Sequence, residues 1–262
     1  MFLYLKLEIP EGRICGLLGK NGAGKSTLLY LICGLLKAQR GTITFDGQDT
    51  SKRKADTLSE LFIVPEEFEL PAISLDEYVR ITAPFYPKFD RALMEECLHE
   101  FNLPEQMHLD QLPLGQKKKV FMCFALATNV KLLLMDEPTN GMDIPSKSQF
   151  RKVISRCMTD ERTLIISTHL VKDIELLLDH IIVIDNSRVM LNADTTTITE
   201  KLAFKLVGSH DVPESALYSK PNVMGQGVVL PNTHGEDTQI DLELLFNATI
   251  TNPESIQRIF HS

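Results

Sequence analysis

Short apolar runs and helical patterns alternate along most of the chain. Leu132–Met135 and Ile181–Ile184 are apolar at every position rather than at every second one. That pattern marks strands covered on both faces, as in a parallel sheet flanked by helices. Further strands are expected at Phe2–Ile9, Arg13–Leu18, Thr42–Phe45, Leu61–Val64, Thr163–Ser167 and Arg188–Leu191. Leu170, Ile174, Leu177 and Leu178 follow helical spacing between two of them. This β-α-β rhythm predicts an α/β fold with a mainly parallel sheet.

The rhythm breaks twice. Gly41 to about Thr57 reads as a strand and a polar, charged loop. Pro65 to about Pro113 carries helical patterns at Ser74–Thr82 and Phe89–Phe101 without a convincing strand, so a helical insertion is expected, over about residues 65–125. From about Lys201 the pattern changes again. Ala203–Gly208, Gly227–Leu230 and Gln239–Phe246 look like short strands, with Pro213, Pro221 and Pro231 between them. We read residues 1–200 as the main body and 201–262 as a small α+β module, large enough for a domain of its own.

Composition narrows the function. Lys and Arg total 27 against 35 Asp and Glu, a net charge of −8. An acidic chain is a poor match to duplex nucleic acid, which calls for a basic face, and no nucleic-acid partner is expected. No apolar run approaches the ~18–20 residues that span a bilayer, and the first residues lack the pattern of a secretory signal. A cytoplasmic location is therefore expected, with a membrane partner still allowed. Five scattered cysteines without a C-x-x-C spacing read as small core residues rather than as a metal or redox centre.

Candidate chemistry starts at Gly19-Lys20-Asn21-Gly22-Ala23-Gly24-Lys25-Ser26-Thr27, which matches G-x-x-x-x-G-K-[ST]. The strand expected at Arg13–Leu18 precedes it. A helical stretch with Leu28, Leu29, Leu31, Ile32, Leu35 and Leu36 follows. Glycines let successive backbone N–H groups turn inward on an anion, and the helix N-terminus adds its positive end. In that arrangement Lys25 reaches the β- and γ-phosphates and Ser26 ligates Mg²⁺. Further on, the apolar run Leu132–Met135 ends in Asp136 and Glu137. Asp136 is placed to hold Mg²⁺ directly or through water, and Glu137 to polarise an attacking water.

Taken in order, these motifs resemble the ATP-binding subunits of ABC (ATP-binding cassette) transporters, over about Phe2 to Asp194. Asp136-Glu137-Pro138-Thr139-Asn140-Gly141-Met142-Asp143 is similar to that family's Walker B segment and D-loop. Ser167-Thr168-His169 is similar to its switch histidine, which senses the γ-phosphate. Leu112-Pro113-Leu114-Gly115-Gln116 stands where the signature L-S-G-G-Q belongs, and Val64-Pro65-Glu66-Glu67 where the Q-loop belongs. The resemblance implies a P-loop NTPase fold of ABC type, with an antiparallel β subdomain and a helical subdomain that touches the membrane partner. It implies ATP and Mg²⁺ as cofactors, and a transmembrane permease subunit as partner. It also implies a homodimer, or a heterodimer with another cassette, held head to tail. Each phosphate loop then faces the other subunit's signature, here Gly115 and Gln116, and the dimer sits on the cytoplasmic face of the membrane. The run of motifs resembles exporter-type cassettes more than uptake ones.

Three departures qualify the likeness. Pro113 replaces the signature serine and lacks an N–H, and Leu114 replaces a glycine. Either the site is weakened or a partner cassette supplies a better signature; a nucleotide-holding regulatory module with little turnover is the alternative reading. Glu66 stands where the family usually has glutamine, and its carboxylate can also ligate Mg²⁺ or its waters. The family's adenine-stacking aromatic lies well upstream of the phosphate loop, whereas Tyr4 precedes Gly12 by only eight residues. A non-transport ATPase of this family acting on ribosomes or DNA fits less well, because the chain has one cassette and an acidic balance. The basic run Lys117–Lys119 reads as a solvated helix face.

Overall fold

The computed structural model describes residues 5–261. In chain order its strands are β1 (Ile14–Leu18), β2 (Thr44–Phe45), β3 (Gln48–Asp49), β4 (Leu61–Val64), β5 (Leu132–Asp136), β6 (Thr163–Thr168), β7 (His180–Asp185), β8 (Arg188–Asp194), β9 (Leu202–Val207), β10 (Tyr218–Asn222) and β11 (Gly225–Pro231). Its helices are α1 (Lys25–Ile32), α2 (Ala55–Leu58), α3 (Leu75–Thr82), α4 (Arg91–Glu100), α5 (Leu114–Ala127), α6 (Ile144–Cys157), α7 (Thr195–Lys201), α8 (Leu242–Thr251) and α9 (Pro253–His261). The fold is α/β, and the chain divides into two compact units. One holds Pro10–Ile14 and Ser26–Ser167. The other holds Cys15–Lys25 and residues 168–261, with residues 5–9.

In the first unit β4, β5 and β6 run parallel. Leu61 pairs with Leu132 and Val64 with Met135, while Asp136 pairs with Ser167. β5 is buried along its whole length, as its unbroken apolar run requires. Between β4 and β5 the chain forms α3, α4 and α5. Ser74 caps α3 by accepting the Glu77 N–H, and Asp90 caps α4 by accepting the Leu93 N–H, the ordinary use of short oxygen side chains at helix starts. The insertion packs on α5 through an aromatic cluster. Phe124 meets Tyr78 and Phe89 with ring centroids 5.0 and 5.2 Å apart. The stretch from Gly41 to Thr57 forms only the two-residue hairpin β2–β3 and a short helical turn before α2. Among the described residues the antiparallel β subdomain is reduced to that hairpin.

In the second unit β1 pairs parallel with β7, from Cys15 with His180 to Leu18 with Val183. β8 continues antiparallel to β7. After α7 the chain forms a three-stranded antiparallel sheet, in the order β10-β11-β9, against which α8 packs. α8 also touches β7 and β8, and α9 lies against β8.

Several expectations need correction. Residues 170–178 form two 3₁₀ turns, Val171–Asp173 and Glu175–Leu177, instead of a helix. Ile174 is still fully buried, and the Glu175 carboxylate accepts the N–H of Leu242 at the start of α8. Gln239–Phe246 is not a strand. It runs into α8, whose start is set by Asp241 accepting the Leu244 N–H. A short apolar run is ambiguous between helix and strand, and the capping aspartate decides it. The expected strand Phe2–Ile9 lies partly outside the described residues, as does Tyr4. Residues 5–9 carry no strand. All five cysteines are buried, and none forms a disulfide. Among the described residues no helix is long and apolar enough to cross a membrane.

Candidate functional site

The loop Gly19–Lys25 joins the end of β1 to the first residue of α1. Its path admits little else than its own sequence. A Cβ on Gly19 would stand 2.8 Å from the Ile184 carbonyl oxygen. Gly24 has φ +104°, outside the range that other residues adopt without strain. Lys20, Asn21 and Gly22 are exposed and Ala23 is buried. The loop is drawn closed by the Ala23 N–H donating to the Lys20 carbonyl at 3.1 Å. Lys25 is only 6% exposed. Its ammonium donates to the carbonyls of Gly19 at 2.9 Å and Lys20 at 3.4 Å, so the cation lies back over the loop rather than reaching into solvent. Ser26 is half-buried and Thr27 is exposed.

In the other unit, the parallel register brings the two acidic segments to one edge. Val64 and Met135 are paired, so Glu66 follows β4 as Glu137 follows β5. Asp136 is 1% exposed. Its Oδ1 accepts a short hydrogen bond from the Ser167 hydroxyl of β6, and its Oδ2 is buried with no hydrogen-bond partner. A buried carboxylate oxygen left in that state costs about 1–3 kcal/mol or more. Glu137 is 4% exposed and has φ +46°, a left-handed backbone that costs an ordinary residue on the order of 1–3 kcal/mol. The turn is held by the Glu137 N–H, which lies 3.0 Å from the Ser167 carbonyl and 3.2 Å from its hydroxyl oxygen.

Two further side chains close this edge. Asn140 donates through Nδ2 to Glu66 Oε1 at 2.9 Å. Lys118, four residues into α5, donates to the carbonyls of Glu137 at 3.2 Å and Asn140 at 3.3 Å. Lys118 is 7% exposed, which corrects the reading of Lys117–Lys119 as a solvated face. Burial pulls its pKa below the ordinary lysine value, and the negative charges of Glu66, Glu137 and Asp136 oppose that fall. Burial, and after it the negative charges of Asp136 and Glu66, push the Tyr30 hydroxyl of α1 upward.

Lys118, Asn140 and Ser167 were not singled out by the sequence reading. Lys118 did carry a signal. It shares a face of α5 with Met122 and Leu126 at i, i+4 spacing, and both are fully buried. Ser167 becomes visible only through its pairing with Asp136.

The remaining candidates are exposed. Gly115 and Gln116 lie in the first turn of α5. Pro113 is the N-cap and offers no side-chain hydrogen bond, while Leu114 is 71% exposed. His169 stands one residue beyond the end of β6 and is exposed.

A family model described as "ABC transporter" matches residues 3–140. The chain is 29% identical over 203 residues to the ABC transporter ATP-binding protein NatA of Bacillus subtilis (strain 168), covering 75% of this chain and 82% of NatA. It is 30% identical over 172 residues to the ABC transporter ATP-binding protein YtrB of the same organism, covering 65% of this chain but only 59% of YtrB. Among solved structures, a dimeric post-hydrolysis state of an ATP-binding cassette bound to ADP and Pi is 25% identical with a TM-score of 0.62. That match covers 72% of this chain and 88% of the other. The chain belongs to the ABC transporter family and is one of its ATP-binding subunits, an ATPase that powers a separate transmembrane partner.

Proposed function

We propose that ATP is bound through Gly19 to Thr27 and hydrolysed with Glu137 as the base that polarises the attacking water. Lys25 contacts the β- and γ-phosphates, Ser26 and Asp136 serve the metal, Glu66 contributes a further carboxylate to it, and His169 senses the γ-phosphate. The orphaned acceptor Asp136 Oδ2 is the observation that carries the reading. A buried carboxylate oxygen at a strand end, with its sister oxygen already occupied by Ser167, fits a hard cation or one of that cation's waters. Mg²⁺ bound there supplies charge neutralisation of the phosphates. Asp136 holds its place through Ser167, and Glu137 is aimed by its left-handed turn.

The exposed start of α5, with Gly115 and Gln116, is the surface we assign to a second cassette's nucleotide. A 14-residue helix presents its N-terminus there, and a helix N-terminus suits an anion. The working unit is a head-to-tail dimer, with itself or with another cassette, seated on the cytoplasmic face of the membrane by a permease of exporter type.

Steady-state Mg-ATPase activity across a range of protein concentrations tests the proposal, with Glu137→Gln as control. Turnover is expected to rise faster than linearly with protein and to fall by about 10²- to 10⁴-fold in Glu137→Gln, the usual worth of a general base, with ATP affinity kept. Wild-type rates in Glu137→Gln would remove the base assignment.

A further inference from the structure

To act as the base, the Glu137 carboxylate must be held in a fixed direction. The backbone of Glu137 is in a strained, left-handed conformation at φ +46°, and such a conformation persists only where its surroundings over-determine it. On the amino side Ser167 takes the N–H. On the carboxyl side the Glu137 carbonyl accepts from Lys118 Nζ at 3.2 Å, and the same ammonium donates to the carbonyl of Asn140 at 3.3 Å. The Asn140 side chain in turn donates to Glu66. One buried cation thus grips both ends of the turn Glu137–Asn140, and Asn140 ties that turn to the loop after β4.

We infer that Lys118 is a positioning residue for hydrolysis: its ammonium clamps the Glu137 and Asn140 carbonyls and so fixes the direction of the Glu137 carboxylate. The inference rests on the assignment of Glu137 as base. Three features single out Lys118 from the neighbouring lysines. It alone of the run 117–119 is buried. It spends its donors on main-chain carbonyls, which set backbone geometry, rather than on a mobile side chain. It also stands among three carboxylates, those of Glu66, Glu137 and Asp136, which favour its charged form. A cation kept inside the protein against its desolvation cost, with hydrogen bonds to oxygen, is a fixed element of the site. Because α5 begins at the exposed segment Leu114–Gln116, the clamp also runs along one helix from that segment to the hydrolytic turn.

The test compares wild type, Lys118→Met, Lys118→Arg and Glu137→Gln for ATP affinity by calorimetry and for turnover, with crystal structures of wild type and Lys118→Met. Lys118→Met keeps the volume of the side chain and removes its donors. It is expected to leave the ATP Kd within about threefold and to lower kcat by about 10²-fold, the scale of a 1 Å misplacement of a catalytic group. Lys118→Arg, which keeps charge and donors, is expected to recover part of that loss. In the Lys118→Met crystal Glu137 should leave the left-handed region. A merely structural lysine would instead lower Kd-derived affinity, folding stability and kcat together, with no recovery by arginine. That result would overturn the inference, as would an unmoved Glu137 backbone in the variant crystal, whatever the turnover. Activity lost in Glu137→Gln but intact in Lys118→Met strikes the clamp alone. Activity intact in Glu137→Gln strikes the underlying assignment.

Discussion

The two stretches we assign to ATP phosphates are built in opposite ways. Gly19–Lys25 is closed on itself: its lysine is buried and bonded to two loop carbonyls, and a Cβ at Gly19 has no room. Leu112–Gln116 is open. Pro113 caps α5 without a side-chain bond, Leu114 is largely exposed, and a Cβ on Gly115 would meet nothing. A site organised before its ligand arrives loses little on binding, whereas an exposed one must gain its order from whatever covers it. The first stretch should therefore show its character in the isolated chain. The second should show it only in association.

The largest break in this contrast comes from Lys25→Ala. Hydrogen bonds from a charged group are worth about 1.5–3 kcal/mol each, so ATP affinity should fall by about 10- to 10²-fold, measured by titration calorimetry on the single chain. Unchanged affinity would mean that the closed loop is a structural feature and not a phosphate cradle. The freed carbonyls of Gly19 and Lys20 would also lose their donor, so a modest fall in melting temperature should accompany the change.

A smaller effect is expected from Ser167→Ala. This removes the donor to Asp136 Oδ1 and the hydroxyl oxygen beside the Glu137 N–H, leaving both oxygens of a buried carboxylate unsatisfied. We expect a loss of about 1–3 kcal/mol in stability and a fall in turnover of about tenfold, with the metal requirement shifted to higher Mg²⁺. Denaturant unfolding and an Mg²⁺ titration of ATPase activity measure the two parts. If turnover and metal dependence both stay put, Asp136 does not serve the metal.

Much of this was legible in the sequence, and the reason differs from place to place. β5 was readable because its fully apolar run is only strand length and falls within a β-α-β rhythm, which together suit a strand covered on both faces. The loop Gly19–Lys25 was readable because its spaced glycines and its lysine match a motif whose strand and helix flanks could also be read. Helical spacing at Ser74–Thr82 and Phe89–Phe101 made those helices readable too, and the structure adds their caps, Ser74 and Asp90. What escaped notice depends on contacts between segments distant in the chain. Ser167 gains its meaning from the β5–β6 register, and Asn140 from the loop after β4. Lys118 was hidden by its neighbours: in a run of three lysines the charge pattern spoke for solvent, while the i, i+4 relation to Met122 and Leu126 spoke for the interior and was the better guide. Gln239–Phe246 misled for a related reason, since alternating apolar residues in so short a run suit either period and Asp241 sat at its start unread.

The smallest expected effect is also the sharpest test of the contrast. In Pro113→Ser with Leu114→Gly the open stretch acquires a hydroxyl and an unobstructed backbone. Serine at an N-cap stabilises a helix by about 0.5–2 kcal/mol, and glycine inside one costs about 1 kcal/mol, so the fold of the single chain should change little. Association should respond instead. One new hydrogen bond to a charged phosphate, partly offset by the apolar contact that Leu114 gives up, predicts ATP-dependent dimerisation tighter by about three- to tenfold. Sedimentation with ATP in a Glu137→Gln background, where the nucleotide persists, reads this directly. Tighter dimers with unchanged single-chain ATP affinity would show that the start of α5 faces the nucleotide of another subunit. Identical association constants would remove that segment from the composite site. The nucleotide would then rest on the closed loop alone.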